Sequence, residues 1–222
     1  MIRAVIFDMF ETLVTLFRSP LYFGAEMAED AGIPEDQFQL LWQPTEYDRT
    51  VGKVTLEEVL ERFLRENHRY SEALLKKIVD KRIAAKEECF RHLHNEIIPM
   101  LSSLRKRGLL IGLISNCFSE EADAIRRSVL FPYFDAIYLS YELGIQKPDI
   151  EIFQRCMDGF SVKAEECVYV GDGGSDELET ARKLGMKAVQ AVWYLRDGTT
   201  QPAKRKHDFI QMEKPLDIVN FV

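Results

Sequence analysis

Several features are missing or scarce in this 222-residue sequence, and each absence removes a class of function. Positive charge is in deficit: 36 Asp and Glu against 29 Lys and Arg leave a formal charge of -7. Nucleic acid is therefore not expected as a partner, because phosphate backbones are held mainly by clustered Lys and Arg. The one basic run, Lys204 to His207, is short and reads as a solvated face. Long apolar runs are lacking too. The opening stretch from Met1 to Phe7 is too short for a secretory signal or a membrane span and ends at the acidic Asp8. The expectation is a cytoplasmic protein with no membrane contact. Only four cysteines are present, Cys89, Cys117, Cys156 and Cys167, with no C-x-x-C pair, so reduced core thiols are expected, Cys117 being the one to watch. His92 and His94, two apart, would sit on different faces of a helix rather than at a shared metal. A Walker A loop, an internal repeat and a low-complexity linker are all absent.

What is present is ordinary globular material. Hydrophobic residues make up 46% and charged residues 29%, enough for one α/β core with a small inserted module. Residues 3 to 7 form a β-rich apolar run that stops abruptly at Asp8, as a buried parallel strand does on reaching a loop. Similar runs recur at Leu109 to Ile114, Ala136 to Leu139, Cys167 to Val170 and Lys187 to Val192, with amphipathic stretches between them. This alternation predicts βαβ units: a doubly wound parallel sheet, Rossmann-like, with helices on both faces.

Between the first and second runs the periodicity is helical and no strand is evident. Thr55 and Glu58 have the spacing of a capping box, and Ser71 to Arg91 carries a long charged helix pattern. The reading is an all-helical cap domain over residues 16–92, inserted into a core of residues 1–15 and 93–222, with hinges near Thr15 and His94.

In a parallel sheet, ligands collect outside the carboxyl ends of the strands. Four polar sets fall there: Asp8-Met-Phe-Glu-Thr-Leu, Ser115-Asn116, Lys147-Pro148-Asp149 and Gly171-Asp172-Gly-Gly-Ser-Asp176. A single Asp at such a place is most often a cap or turn residue. The ordered set carries more weight. A carboxylate such as Asp8 can attack phosphorus if the approaching negative charges are neutralised, and Mg²⁺ held by Asp8 and Asp172 is a natural neutraliser. Lys147 would add a fixed positive charge and Ser115 a hydroxyl donor to a phosphoryl oxygen. Thr12 and Asn116 would complete the surroundings, and Gly173 and Gly174 would let backbone approach closely.

In this order the four sets resemble the motifs of the haloacid dehalogenase-like superfamily. The resemblance covers roughly residues 1 to 14 and 95 to 195, and the cap matches in position and helical character only. It implies a Mg²⁺-dependent hydrolase, a phosphatase of a small phosphorylated metabolite with Asp8 as covalent nucleophile. It also implies the Phe10 carbonyl as a metal ligand beside Asp8 and Asp172, with Asp176 as a further ligand or an orienter of bound water. One departure matters. Phosphatases of the superfamily usually carry a second Asp two residues after the nucleophile, as general acid and base, and here that residue is Phe10. The 2-haloacid dehalogenase branch has an aromatic residue there but lacks the equivalent of Asp172, so dehalogenation is the second reading and a catalytically weak metal-binding regulatory protein the third. In the cap, Tyr47, Arg49 and Lys53 are candidates to face substrate, with surface placement the simpler expectation for each.

Overall fold

The computed structural model describes residues 1–195 and 204–222. Five strands coincide with the five apolar runs to within a residue or so: β1 (Ala4–Phe7), β2 (Leu110–Ser115), β3 (Ala136–Leu139), β4 (Cys167–Gly171) and β5 (Lys187–Ala191). A short sixth, β6 (Ile210–Met212), adds to them at the edge. All neighbours are parallel and the order is β3-β2-β1-β4-β5-β6. β1 therefore lies between β2 and β4, with Val5 opposite both Ile111 and Val168. The order reverses direction at β1, which puts the end of β1 at the switch point where such sheets bind ligands.

Side chains alternate across the sheet, so a strand buried on both sides must be apolar at every position. Val5 and Phe7 join a core beneath α6 (Ile97–Lys106), α7 (Ser119–Arg127) and α11 (Asp217–Phe221), whereas Ala4 and Ile6 join a second core beneath α9 (Ile150–Phe160) and α10 (Glu177–Leu184). Gly112 is required on the second face, because a Cβ there would press on Phe160 and Cys156 of α9. The short α8 (Ser140–Leu143) follows β3.

From Leu16 to Arg91 the chain has no strand. It holds α1 (Gly24–Ala31), α2 (Glu35–Trp42), α3 (Glu46–Thr50), α4 (Leu56–Glu66) and α5 (Glu72–Glu88), of which α1, α2, α4 and α5 pack around a third apolar cluster that includes Met27, Phe38, Leu60, Phe63 and Ile78. α4 begins as its spacing predicts: the Thr55 hydroxyl accepts from the Glu58 amide, and the Glu58 carboxylate accepts from the Thr55 amide at 2.8 Å. α5 starts at the Ser71 cap and runs to Glu88.

A buried ionic cluster joins this helical block to the sheet domain. On α5, Arg82 donates to Glu120 at 3.0 Å and to the Tyr22 carbonyl at 2.6 Å, and Lys86 pairs with Glu121 at 2.6 Å; both carboxylates belong to α7. Two chain crossings are pinned by residues just past β5. The Trp193 indole donates to the Thr12 carbonyl, and the Tyr194 hydroxyl accepts from the His94 amide at 2.7 Å.

Candidate active site

β1 delivers Asp8 to the switch point, and the Asp8 amide continues the ladder by donating to the Val170 carbonyl at 2.9 Å. The chain then coils tightly: Met9 offers its carbonyl to the amides of Leu13 and Val14, and Glu11 takes a left-handed conformation at φ 59. Such a conformation is unfavourable for a residue with a Cβ and must be held by its surroundings. Here the Glu11 carboxylate accepts from the Thr15 hydroxyl at 2.7 Å and the Leu16 amide at 2.9 Å. Glu11 is thus committed to the loop. Thr12, fully buried, donates to Asp8 Oδ2 at 3.2 Å.

Lys147 arrives from the loop before α9. Asn116 holds its backbone on both sides: the Lys147 amide donates to Asn116 Oδ1 at 2.8 Å, and Asn116 Nδ2 donates to the Lys147 carbonyl at 3.0 Å. The Lys147 ammonium, 3% exposed, reaches Asp8 Oδ1 at 2.5 Å, the Glu177 carboxylate, and the Tyr169 hydroxyl at 3.3 Å. Burial alone would lower its pKa, but Asp8 and Glu177 more than offset this and raise it. Ser115, at the end of β2, is fully enclosed, and its hydroxyl lies 3.4 Å from the Asn116 carbonyl.

Asp172 directly follows β4, accepts from the Gly174 amide at 2.9 Å, and has its own carbonyl held by the buried Gln190 side chain. Gly173 must be glycine, since its φ is +92 and a Cβ would crowd Lys206 and Gln190. Ser175 and Asp176 then both take left-handed conformations. That turn leaves Asp176 exposed and sends Glu177, 1% exposed, inward. Among the described residues Asp8, Asp172 and Glu177 form a buried carboxylate cluster whose oxygens lie within 4.8 Å of one another, and Asp176 is not part of it.

Glu177 is the residue that sequence reasoning passed over. The acidic pair Asp176-Glu177 offered two phases, and the apolar positions Leu178 and Ala181, both buried, fix the helix phase that turns Glu177 inward. Gly171 points the same way, because a Cβ there would collide with the Glu177 carboxylate.

Three carboxylates around one ammonium are electrostatically incomplete. Burial, and then the charge of Asp8, push the Asp172 carboxyl up to about 7. Burial likewise pushes Glu177 up to about 8, with Asp8 and Asp172 adding and Lys147 opposing. A hard divalent cation fits this all-oxygen donor set and would relieve the repulsion.

An inner cavity of about 300 Å³ touches Asp8, Phe10, Phe23, Lys147, Asp172 and Glu177. An outer cleft of about 580 Å³, with walls from Gln43, Glu46, Tyr47, Thr50, Phe118 and Gln146, shares Asn116, Lys147 and Ser175 with it. Of the three candidates in the helical block, Tyr47 is exposed on the cleft wall, and Lys53 is exposed, paired with Asp48 and above the Tyr47 ring. Arg49 corrects the expectation of a surface residue. It is 3% exposed, clamped between the Trp42 and Phe118 rings at 3.7 and 4.2 Å, and its Nε donates to Thr45. A planar guanidinium stacks where an ammonium would not, which is why helix spacing alone did not foretell its burial. All four cysteines are free and buried. Burial raises the Cys117 thiol's pKa, so it is a packing residue rather than a nucleophile.

With a switch-point aspartate, a clamped lysine and an acidic cluster in one cavity, the chain belongs to the haloacid dehalogenase-like hydrolases, whose family description matches residues 2–185. It is 25% identical over 240 aligned positions to a glyceraldehyde 3-phosphate phosphatase of Methanopyrus kandleri, spanning 100% of this chain and 97% of that one. A phosphoserine phosphatase of Thermus thermophilus is 32% identical over 98 residues, spanning 44% of this chain and 39% of that enzyme. Among solved structures, a 2-haloacid dehalogenase from Pseudomonas syringae superposes with a TM-score of 0.66 at 26% identity, over 100% of this chain and 99% of that one. No helix among the described residues is long and apolar enough to cross a membrane.

Proposed function

We propose that this hydrolase is a Mg²⁺-dependent phosphatase of a small phosphorylated metabolite, working through an aspartyl-phosphate on Asp8. The observation that carries the reading is the buried cluster of Asp8, Asp172 and Glu177 around a single ammonium. Without a cation these carboxylates repel, which a metal-free dehalogenase site has no reason to build. The phosphatase names of the relatives, one of them aligned over 97% of its length, support the same reading.

Asp8 and Asp172 would hold the ion together with the Phe10 carbonyl that the family resemblance implies. Glu177 stands nearer than Asp176 for the remaining acidic role. When bound, Mg²⁺ would neutralise phosphoryl oxygens and position them against Asp8. Asp8 attacks phosphorus, the bond to the leaving oxygen breaks, and water then cleaves the acyl phosphate and restores the carboxylate. Lys147, fixed by Asn116, pairs with Asp8 and faces the transferring group with positive charge. Thr12 orients the second oxygen of Asp8. In the same reading, the helices of residues 16–92 serve as a cap over the core of residues 1–15 and 93–222, and the outer cleft receives the leaving group.

Phe10, together with the resemblance to a 2-haloacid dehalogenase, favours a second reading, carbon-halogen hydrolysis. One screen separates the two: a phosphate-ester panel, acetyl phosphate and 2-chloropropionate, each with Mg²⁺ and with EDTA. Hydrolysis of phosphate compounds that EDTA abolishes is expected. Release of chloride that EDTA leaves untouched would overturn the phosphatase reading.

A further inference from the structure

Every carboxylate on the walls of the two neighbouring cavities has an intramolecular task except one. Asp8 and Glu177 hold Lys147, Asp172 takes the Gly174 amide, and Glu11 is tied to Thr15 and Leu16. Glu121 pairs with Lys86 and accepts from the Phe118 amide at 3.0 Å. Glu46, exposed in the first turn of α3, is the one wall carboxylate with no hydrogen-bond or ion-pair partner among the described residues. The cations show the opposite pattern. Lys147 is the only one on either wall among the described residues, and its ammonium is already engaged. Arg49, Arg82 and Lys86 are at most 3% exposed behind the wall and held by aromatic rings or by Glu120 and Glu121. The remaining polar groups of the cleft are neutral: the amides of Gln43, Asn116 and Gln146, and the hydroxyls of Tyr47, Thr50 and Ser175.

From this arrangement we propose that the cleft selects an uncharged, hydroxyl-bearing leaving group, as in a polyol or sugar monophosphate, with Glu46 as the specificity-determining residue. The inference rests on the phosphatase reading and adds the substrate class to it. Amides and a free carboxylate satisfy hydroxyl donors and acceptors in several orientations. Arg49 keeps one unpartnered nitrogen, Nη1, but it is buried behind the Phe118 ring and off the wall, so a second anionic group on the substrate would find no unengaged cation on the cleft wall among the described residues and would stand against the charge of Glu46. Discrimination by such like-charge repulsion should reach about tenfold or more.

The test uses two esters that differ only at the end away from phosphorus, glycerol 3-phosphate and 3-phosphoglycerate, a hydroxymethyl group against a carboxylate. Each is measured as a competitor of p-nitrophenyl phosphate hydrolysis with Mg²⁺ present, so that slow turnover of an alkyl ester does not matter. Glycerol 3-phosphate should compete about tenfold better. Glu46→Gln should shrink that ratio and Glu46→Arg should reverse it. Equal inhibition by the two esters, better inhibition by 3-phosphoglycerate, or a ratio unmoved in Glu46→Arg would overturn the inference while leaving the phosphatase reading standing. If p-nitrophenyl phosphate is not hydrolysed at all, the phosphatase reading fails by itself, and calorimetric titration of the same two esters still reads the preference of the cleft.

Discussion

At the scale of single residues, Phe10 determines what the site can do for a leaving group. A positioned general acid is worth on the order of 10² to 10⁴ in rate, mostly by protonating poor leaving groups. The Phe10 ring packs against the core and has no proton to give, and the neighbouring Glu11 is committed to Thr15 and Leu16. Acyl phosphates and activated aryl phosphates should therefore be turned over faster than simple alkyl phosphates. A plot of kcat/KM against leaving-group pKa should be steep for the native protein and flatter for Phe10→Asp. A flat native profile would mean that another group already supplies the proton. At this scale the positions of Asp8, just past β1, and Asp172, just past β4, are legible in the sequence, because an apolar run stops visibly there. The turn after β4 is less legible. Two consecutive left-handed residues, Ser175 and Asp176, decide which of two adjacent acids turns inward, and neither is a glycine that would have signalled them.

At the scale of elements, β1, β2 and β4 were legible because burial on both faces forces a nearly unbroken apolar run, and β3 and β5 because each is still a β-rich stretch of four or five residues. β6 was not, because its three residues, Ile210, Gln211 and Met212, make too short a run to stand out. The pairing of α5 with α7 was also hidden. The charges of α5 look like a solvated face in sequence, yet Arg82 and Lys86 are buried against Glu120 and Glu121. Removing one partner of such a cluster leaves a buried charge uncompensated and costs about 3–5 kcal/mol. Arg82→Met should lower the unfolding free energy by that order in denaturant titration, by stranding Glu120 and the Tyr22 carbonyl. A loss below about 1 kcal/mol would mean that water already reaches this junction.

At the scale of the whole molecule, the acidic cluster ties folding to pH and to metal. Asp172 and Glu177 have folded pKa values raised to about 7 and about 8, above their ordinary carboxylate values. The folded state therefore keeps protons that the unfolded chain releases from about pH 4 upward, and stability falls with rising pH wherever the folded state binds more protons. In EDTA the Tm should drop between about pH 5 and about pH 8, and added Mg²⁺ should restore more of it at the upper end, where the carboxylates are free to bind. A metal-free Tm that rises across this window would contradict the burial of unbalanced carboxylates. The fold was legible almost entirely from strand and helix periodicity. The outer cleft was not, since its walls come from the end of α2 and α3, the junction of β2 with α7, the loop before α9 and the turn after β4, segments whose meeting no local pattern encodes.

The role of Asp8 as a covalent nucleophile is tested most directly by mass spectrometry of the protein acid-quenched during turnover of acetyl phosphate. A phosphoryl adduct on the peptide containing Asp8, present with Mg²⁺ and absent both in EDTA and in a folded Asp8→Asn variant, is the predicted result. Turnover that continues without any adduct, or that survives in Asp8→Asn, would contradict it.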